Sequence, residues 1–384
     1  MKRTITRRDF LAQGSRYSLY CVGMSFSTAW LPVPASCGTS PAKGFLDRKL
    51  SPYFEPLEEG RIRCTLCPRE CEVAEGERGY CRVRENGGGK YYSLAYGNPC
   101  AVHVDPIEKK PFFHVLPGTL SFSVATAGCN FHCKFCQNWE ISQAKPEETF
   151  NFDLPPPRVV EEAVRLRCQS IASTYVEPTI FMEYMRDLGQ LARERGLLKV
   201  MHSNGYVNEA PLRDLCGVLH AACIDLKGFS DSFYRELTEG TLQPVLSTLK
   251  RLHQWGVHTE IVNLVIPGKN DDMGEIRAMS RWIKQELGPE IPLHFTRFYP
   301  LYKLKGLPPT PLSTLEEARQ VACHEGLQFV YIGNVPGHPA EHTDCPKCKE
   351  RLVERAGYRV EIRALKDGKC GRCGRPIPGI WSIG

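Results

Sequence analysis

The chain lacks a membrane span, because its mildly apolar stretch from Tyr17 to Leu31 is too short and too polar to cross a bilayer. It lacks a long internal repeat. It also lacks a basic surplus in its body. The net charge is +6, but Lys2, Arg3, Arg7, Arg8 and Arg16 against Asp9 place +4 of that in residues 1–37. The remaining +2 excludes the electrostatic footprint of a nucleic-acid binder. A disulfide framework is missing too. Of the 18 cysteines, eleven fall into three tight groups, and paired C-x2-C spacing in a chain of this size points to metals and a reducing compartment. The other seven, Cys21, Cys37, Cys100, Cys168, Cys216, Cys223 and Cys323, are isolated and read as buried small hydrophobes.

What is present is an ordinary globular composition, 42% hydrophobic and 24% charged over 384 residues. Four segments follow. Residues 1–44 are a leader and a Pro/Ser/Gly-rich linker. Thr6-Arg-Arg-Asp-Phe-Leu11, the apolar stretch and Pro32-Val-Pro-Ala-Ser-Cys37 together match a twin-arginine export signal. Residues 45–119 are a cysteine-rich module, and residues 338–384 are a Cys/Lys/Arg-rich tail module.

Between them, residues 120–337 alternate apolar runs with amphipathic segments. The runs are 122–127, 170–175, 198–202, 222–226, 259–266, 293–298 and 329–332. The helical patterns are 159–168, 179–195, 208–219, 242–255, 275–287 and 315–325. Strand–helix repetition predicts an α/β fold with a parallel sheet, curled by right-handed crossovers. The number of units predicts a partial, open (β/α)6 TIM-like barrel. Active sites in such folds lie at the C-terminal ends of the strands.

The central cysteine group stands where that rule puts it, directly after the first strand. Gly128-Cys-Asn-Phe-His-Cys-Lys-Phe-Cys-Gln137 is C-x3-C-x2-C, with Phe135 before the third cysteine. Three thiolates, Cys129, Cys133 and Cys136, can wrap a [4Fe–4S] cubane. Ferredoxin-type sites use four cysteines, so three leave one iron open for a ligand. The amino and carboxylate end of S-adenosylmethionine (SAM) suits that iron.

The residues after the other strands are polar. Glu177 can accept from the SAM ammonium. Ser203 and Asn204 can hold the ribose or carboxylate. Asp225 and Lys227 place an acid and a base on one face, as the candidate catalytic pair. His294, Arg297 and Tyr299 line the sixth strand. Phe135, Glu177, Ser203, Asn204, Asp225, Lys227, His294 and Arg297 are therefore the expected SAM contacts.

The outer cysteines are separate. Cys345-x2-Cys348-x21-Cys370-x2-Cys373 is close to the four-cysteine zinc pattern, with an auxiliary iron–sulfur cluster as the rival. Cys64-x2-Cys67-x3-Cys71-x9-Cys81 fits neither type, and its metal stays open.

The triad and its aromatic resemble the radical SAM superfamily. The Asn-Gly, Asp-x-Lys and Pro-Gly-x-Asn-Asp segments resemble enzymes of the pyruvate formate-lyase activating type. The chain is more similar still to the radical SAM member of the AmmeMemoRadiSam system. That resemblance rests on Cys64-Thr-Leu-Cys-Pro-Arg-Glu-Cys71, Gly79-Tyr-Cys81, Asp105-Pro-Ile-Glu-Lys-Lys-Pro-Phe112, Leu116-Pro-Gly118, the triad segment to Ser142, and Tyr175-Val-Glu-Pro178. His294-Phe-Thr-Arg-Phe-Tyr-Pro300, Gly333-Asn-Val-Pro-Gly337 and the tail cysteines extend it.

The resemblance implies reductive SAM cleavage to a 5′-deoxyadenosyl radical that abstracts hydrogen from an unidentified substrate. It implies flavodoxin or ferredoxin as electron donor. Memo-type or AMMECR-type proteins, or a protein substrate, are the expected partners. Arg69, Asp105, Glu108, Lys109 and Lys110 belong to the subgroup's segments without assigned roles. The alternatives are a glycyl radical enzyme-activating enzyme and, in another class, a multi-cluster electron-transfer protein. A need for SAM and a strongly reducing electron favours the cytoplasm, with export through the leader as the alternative.

Overall fold

The computed structural model describes residues 40–383. The twin-arginine leader, Cys21 and Cys37 lie outside the described residues. Among the described residues no helix is long and apolar enough to cross a membrane.

One eight-stranded sheet organises the chain. Its strands are β1 (Ala101–Pro106), β2 (Leu120–Ala125), β3 (Ser170–Ser173), β4 (Leu198–Ser203), β5 (Ala221–Asp225), β6 (His258–Val265), β7 (Leu293–Arg297) and β8 (Val330–Gly333). They lie side by side in sequence order. From β2 to β8 every pairing is parallel, for example Ser123 with Ala172 and Asp225 with Val262. Parallel strands covered on both faces read as continuous apolar runs, which is why the sequence shows them.

The crossover helices are α1 (Pro156–Arg165), α2 (Met182–Glu194), α3 (Glu209–Cys216), α4 (Asp231–Thr238), α5 (Leu242–Gln254), α6 (Met273–Leu287) and α7 (Leu312–His324). Each buries one stripe: Ile276, Met279, Ile283 and Leu287 in α6, and Leu315, Ala318 and Ala322 in α7. Proline opens α1 where its missing N–H costs nothing, and the Asp272 carboxylate caps α6 by accepting from Glu275 N–H at 2.9 Å.

The sheet has one strand more than the apolar runs predict. β1 pairs antiparallel with β2, from Ala101 opposite Ala125 to Pro106 opposite Leu120. His103 is exposed and only Val102 and Asp105 are buried, so this half-exposed edge strand carries no continuous apolar signal.

The barrel is plugged at the end where its strands begin. Ile107, Phe112, Val115 and Leu116 pack against Leu198, Val200, Ala221 and Cys223 from the interior. Buried Glu260 on β6 pins the plug, accepting from the backbone N–H groups of Phe113 and His114 at 2.8–3.1 Å. Arg355 of the tail donates to the Phe113 carbonyl at 2.7 Å. A floor closed in this way leaves the opposite end, at the strand C-termini, for chemistry.

The flanking cysteine segments share cores with the barrel. Phe113, Phe329 and Tyr331 pack with Cys345, Leu352, Val353 and Cys370. On the other side, the fully buried Arg84 forms a bidentate pair with Glu183 of α2, at 2.9 and 2.6 Å.

Candidate functional site

After β2 the chain turns through Gly128, whose φ is +89°. A side chain there would also bring a Cβ within 2.4 Å of the Cys81 carbonyl oxygen. Only glycine meets both demands. The loop that follows is fastened along its length. Gly128 N–H donates to Ile141 O at 2.9 Å, His132 N–H to Thr238 O at 3.1 Å, and Lys134 N–H to Leu237 O at 2.8 Å. Cys129, Cys133 and Cys136 are thereby held at the open end of the barrel, with Cys133 buried.

This donor set fits an iron–sulfur cluster. The Phe131 N–H donates to Cys129 Sγ at 3.4 Å, and Ser142 Oγ lies 3.2 Å from Cys136 Sγ. Burial pushes the Cys129 thiol well up and the Cys133 thiol up to about 12. Thiols this buried do not ionise on their own. Bound metal cations supply the charge that makes them thiolate ligands.

The strand ends bring most of the predicted residues to this loop. Glu177 is buried and accepts from Thr179 N–H at 3.0 Å, Ser203 Oγ at 2.7 Å and Asn204 N–H at 2.7 Å. Its carboxyl is raised by burial, with those donors pulling against the rise. Asn204 Nδ2 donates to Asn130 Oδ1 at 2.8 Å, which carries the network into the cluster loop. Glu177, Ser203 and Asn204 thus form one unit with Asn130.

Asp225, at the end of β5, meets Lys227 Nζ at 2.8 Å and His202 Nε2 at 2.8 Å. Burial would raise the Asp225 carboxyl, but Lys227 and His202 outweigh it and hold it well below the usual carboxylate range. Lys227 also stands 5.6 Å from the centre of the Phe135 ring. The expected acid–base pair is therefore an ion pair beside the loop.

His294 is placed differently. It is the second residue of β7, so it lies towards the plugged end of the barrel, away from the cluster loop. Its Nε2 pairs with Glu260 at 2.7 Å, and its ring stacks on Tyr331. Arg297 ends β7 on the correct side and donates from Nε to Thr310 O at 2.8 Å. Tyr299 lies beside it, 5.4 Å from the guanidinium.

Several site residues carry no clear signal in the sequence. Asn130 stands inside the cysteine motif and Asn138 just after it, and Asn138 Nδ2 donates to the Tyr175 carbonyl at 2.7 Å. Tyr175 has φ of +66°, and its hydroxyl contacts Asp105 and lies 3.0 Å from Lys110 Nζ. Lys109 and Lys110 both pair with Asp105, at 2.9 and 2.5 Å. The Asp105–Lys109–Lys110 segment therefore meets the loop after β3 through Tyr175.

The tail cysteines form a compact tetrad. Cys345 and Cys373 sulfurs are 3.6 Å apart, as are those of Cys348 and Cys370, and all four lie within 4.8 Å of one another. That arrangement can hold a metal. Cys64, Cys67, Cys71 and Cys81 line one cavity, bordered by Arg69, Arg84 and Tyr91.

Residues 123–279 match the radical SAM superfamily. The chain is 45% identical over 327 residues to the uncharacterized protein MJ0808 of Methanocaldococcus jannaschii, covering 85% of this chain and 97% of that protein. A second uncharacterized protein of that organism, MJ0674, is 26% identical over 281 residues, 70% of this chain and 76% of its own length. Among solved structures, a radical SAM methyltransferase from Sphaerobacter thermophilus aligns with a TM-score of 0.45 and 12% identity, over 73% of this chain and 76% of that one. A domain of a pyruvate-formate lyase-activating enzyme from Bacteroides vulgatus aligns with a TM-score of 0.39 and 14% identity, over 43% of this chain and 99% of that one. The chain carries a radical SAM domain over residues 123–279 and belongs to the family of MJ0808.

Proposed function

We propose that this protein is a SAM-cleaving enzyme that generates a carbon radical on a substrate held inside the barrel mouth. The observation that carries this reading is the convergence of the three-thiol loop with Glu177 and Lys227 at the open ends of the strands. When bound at Cys129, Cys133 and Cys136, a [4Fe–4S] cluster supplies the electron that splits SAM into methionine and a 5′-deoxyadenosyl radical. The protein's own contribution is positioning and enclosure. Glu177 fixes the Ser203–Asn204 turn against Asn130. That turn and the Glu177 carboxylate present acceptors and donors suited to the ammonium and carboxylate of SAM. Lys227, held by Asp225, keeps a cation beside Cys133. The plug at 107–116 packs into the end where the strands begin.

The resemblance to the AmmeMemoRadiSam member supports placement in that system, with Memo-type or AMMECR-type proteins as partners and flavodoxin or ferredoxin as the donor. The chemistry favours a cytoplasmic site of action. For the tail we propose zinc. Tetrahedral Zn–S bonds of about 2.3 Å put sulfurs about 3.8 Å apart, a spacing the 3.6 Å pairs approach.

The test is anaerobic reconstitution, chemical reduction and assay of 5′-deoxyadenosine. The wild type should form it. A Cys129→Ala/Cys133→Ala/Cys136→Ala variant should form none, and undiminished product from that variant would refute the assignment.

A further inference from the structure

The group Cys64, Cys67, Cys71 and Cys81 has no role in the reading above, yet its environment is built. All four residues line a single cavity, and all are free thiols. Backbone N–H groups lie near these sulfurs, Leu66 near Cys64, Arg69 near Cys67 and Val83 near Cys81. Tyr80 N–H donates to Cys71 Sγ at 3.5 Å. Hydrogen bonds of this kind stabilise metal-bound thiolate and tune iron–sulfur potentials. The Cys129 sulfur receives the same kind of bond from Phe131.

Spacing decides what the cavity holds. Among the described residues, only the tail tetrad brings three or more such ligand atoms within 4.8 Å of one another. No three sulfurs of the Cys64 group lie within 4.8 Å of one another, and in this it matches the Cys129 triad. A cubane carries each thiolate on a separate iron and so holds them farther apart than a single ion does. The charge of the lining agrees. A cubane with four thiolates is an anion, and two guanidinium groups border the cavity. Arg69 spends its hydrogen bonds on carbonyls, Asn130 O at 2.6 Å and Glu239 O at 2.5 Å. Arg84 is buried, with Glu183 on its far side.

The two thiol groups also touch. The Cys81 carbonyl sits where a Cβ on Gly128 would be, one residue before Cys129. Arg69 lies over the Tyr80 ring at 3.5 Å, and that ring stacks on His132 of the cluster loop at 4.1 Å.

We propose that Cys64, Cys67, Cys71 and Cys81 bind a second, fully protein-ligated [4Fe–4S] cluster that lies against the first and serves as its electron inlet. Four thiolates cover four irons, so no iron is open to substrate. One electron from a low-potential carrier protein reduces this cluster, and one electron leaves it for the triad's cluster. The inlet role rests on the radical SAM reading, whereas the binding site does not.

The experiment is iron, sulfide and zinc analysis of the full-length protein after anaerobic reconstitution, with electron paramagnetic resonance of the reduced state with and without SAM. The wild type should hold about eight irons, the Cys129→Ala/Cys133→Ala/Cys136→Ala variant about four, and that variant with Cys64→Ala and Cys67→Ala added about none, which separates this site from the tail tetrad. The triple variant's remaining signal should ignore SAM. A folded triple variant without iron, whether the four cysteines carry zinc or nothing, overturns the proposal. Where that variant fails to fold, the wild type decides. About eight irons with one SAM-responsive signal and one silent signal supports the second cluster. About four irons, all responding to SAM, overturns it. About four irons that ignore SAM supports this site and defeats the radical SAM function instead, so the two failures are distinguishable.

Discussion

Asp225→Asn should destabilise the folded protein by about 2 kcal/mol at neutral pH, between the 3–5 kcal/mol of breaking a buried ion pair and the 0–1 kcal/mol of a surface pair. The intermediate value follows from the site. The Lys227–Asp225 distance is 2.8 Å, with side-chain exposures of 14% and 25%. The amide would keep one acceptor for two donors, so either Lys227 or His202 loses its partner. Lys227 is the costlier loss, because it is the less exposed of the two and carries a full charge.

A double-mutant cycle with Lys227→Met isolates this term. The double variant should be more stable than the sum of the single losses by about 1–2 kcal/mol, since it leaves no unpaired cation. The pH dependence has a definite sign. The carboxyl is depressed in the folded state, so its contribution is present above the unfolded value near 3.9 and is lost as pH falls through the lower folded value. The gap between wild type and Asp225→Asn should therefore be flat from about pH 6 to 8 and close in acid. Denaturant melts followed by circular dichroism measure both effects. Additive single-variant losses, or a gap that is unchanged below about pH 3, would refute the reasoning.

Three further outcomes are expected. Glu177→Gln should weaken SAM binding by about 1–3 kcal/mol in calorimetry, the range of a charge-assisted hydrogen bond, with iron content unchanged; equal affinity rejects the role. Lys199 is buried against Ser173 Oγ at 2.6 Å, and burial pulls its amine down to about 7. The unfolded chain then holds the extra proton between about pH 7 and 10, so wild-type stability should rise across that window. Lys199→Met should be more stable by about 2 kcal/mol at pH 7 and lose its advantage towards pH 10; parallel pH profiles would count against the buried amine. The full-length protein should carry about one zinc, and Cys345→Ser/Cys348→Ser should remove it and loosen the tail first in hydrogen exchange. An iron-loaded tail would overturn the zinc assignment.

The sequence alone determined the α/β class, the order of the parallel strands and the position of the triad after the first of them. Strands buried on both faces write continuous apolar runs, helices write a stripe, and metal-binding thiols must sit close in sequence to share one loop. The polar residues at strand ends were legible for the same reason, because the fold places function there. Tertiary structure decided the rest. β1 lies on a half-exposed edge with only Val102 and Asp105 buried, so its membership in the sheet depends on its partner, not on its own pattern. His294 looked like its neighbour Arg297, three residues on, but one strand places them towards opposite ends of the barrel. Depth along a strand has no local signature. The width of a cysteine group is set by how its segments fold together, not by the count of residues between them. Spacing by residue number brought only the Cys345 group near a four-cysteine zinc pattern, and only the folded chain shows that its four sulfurs lie within 4.8 Å of one another while the Cys64 group lines a single cavity.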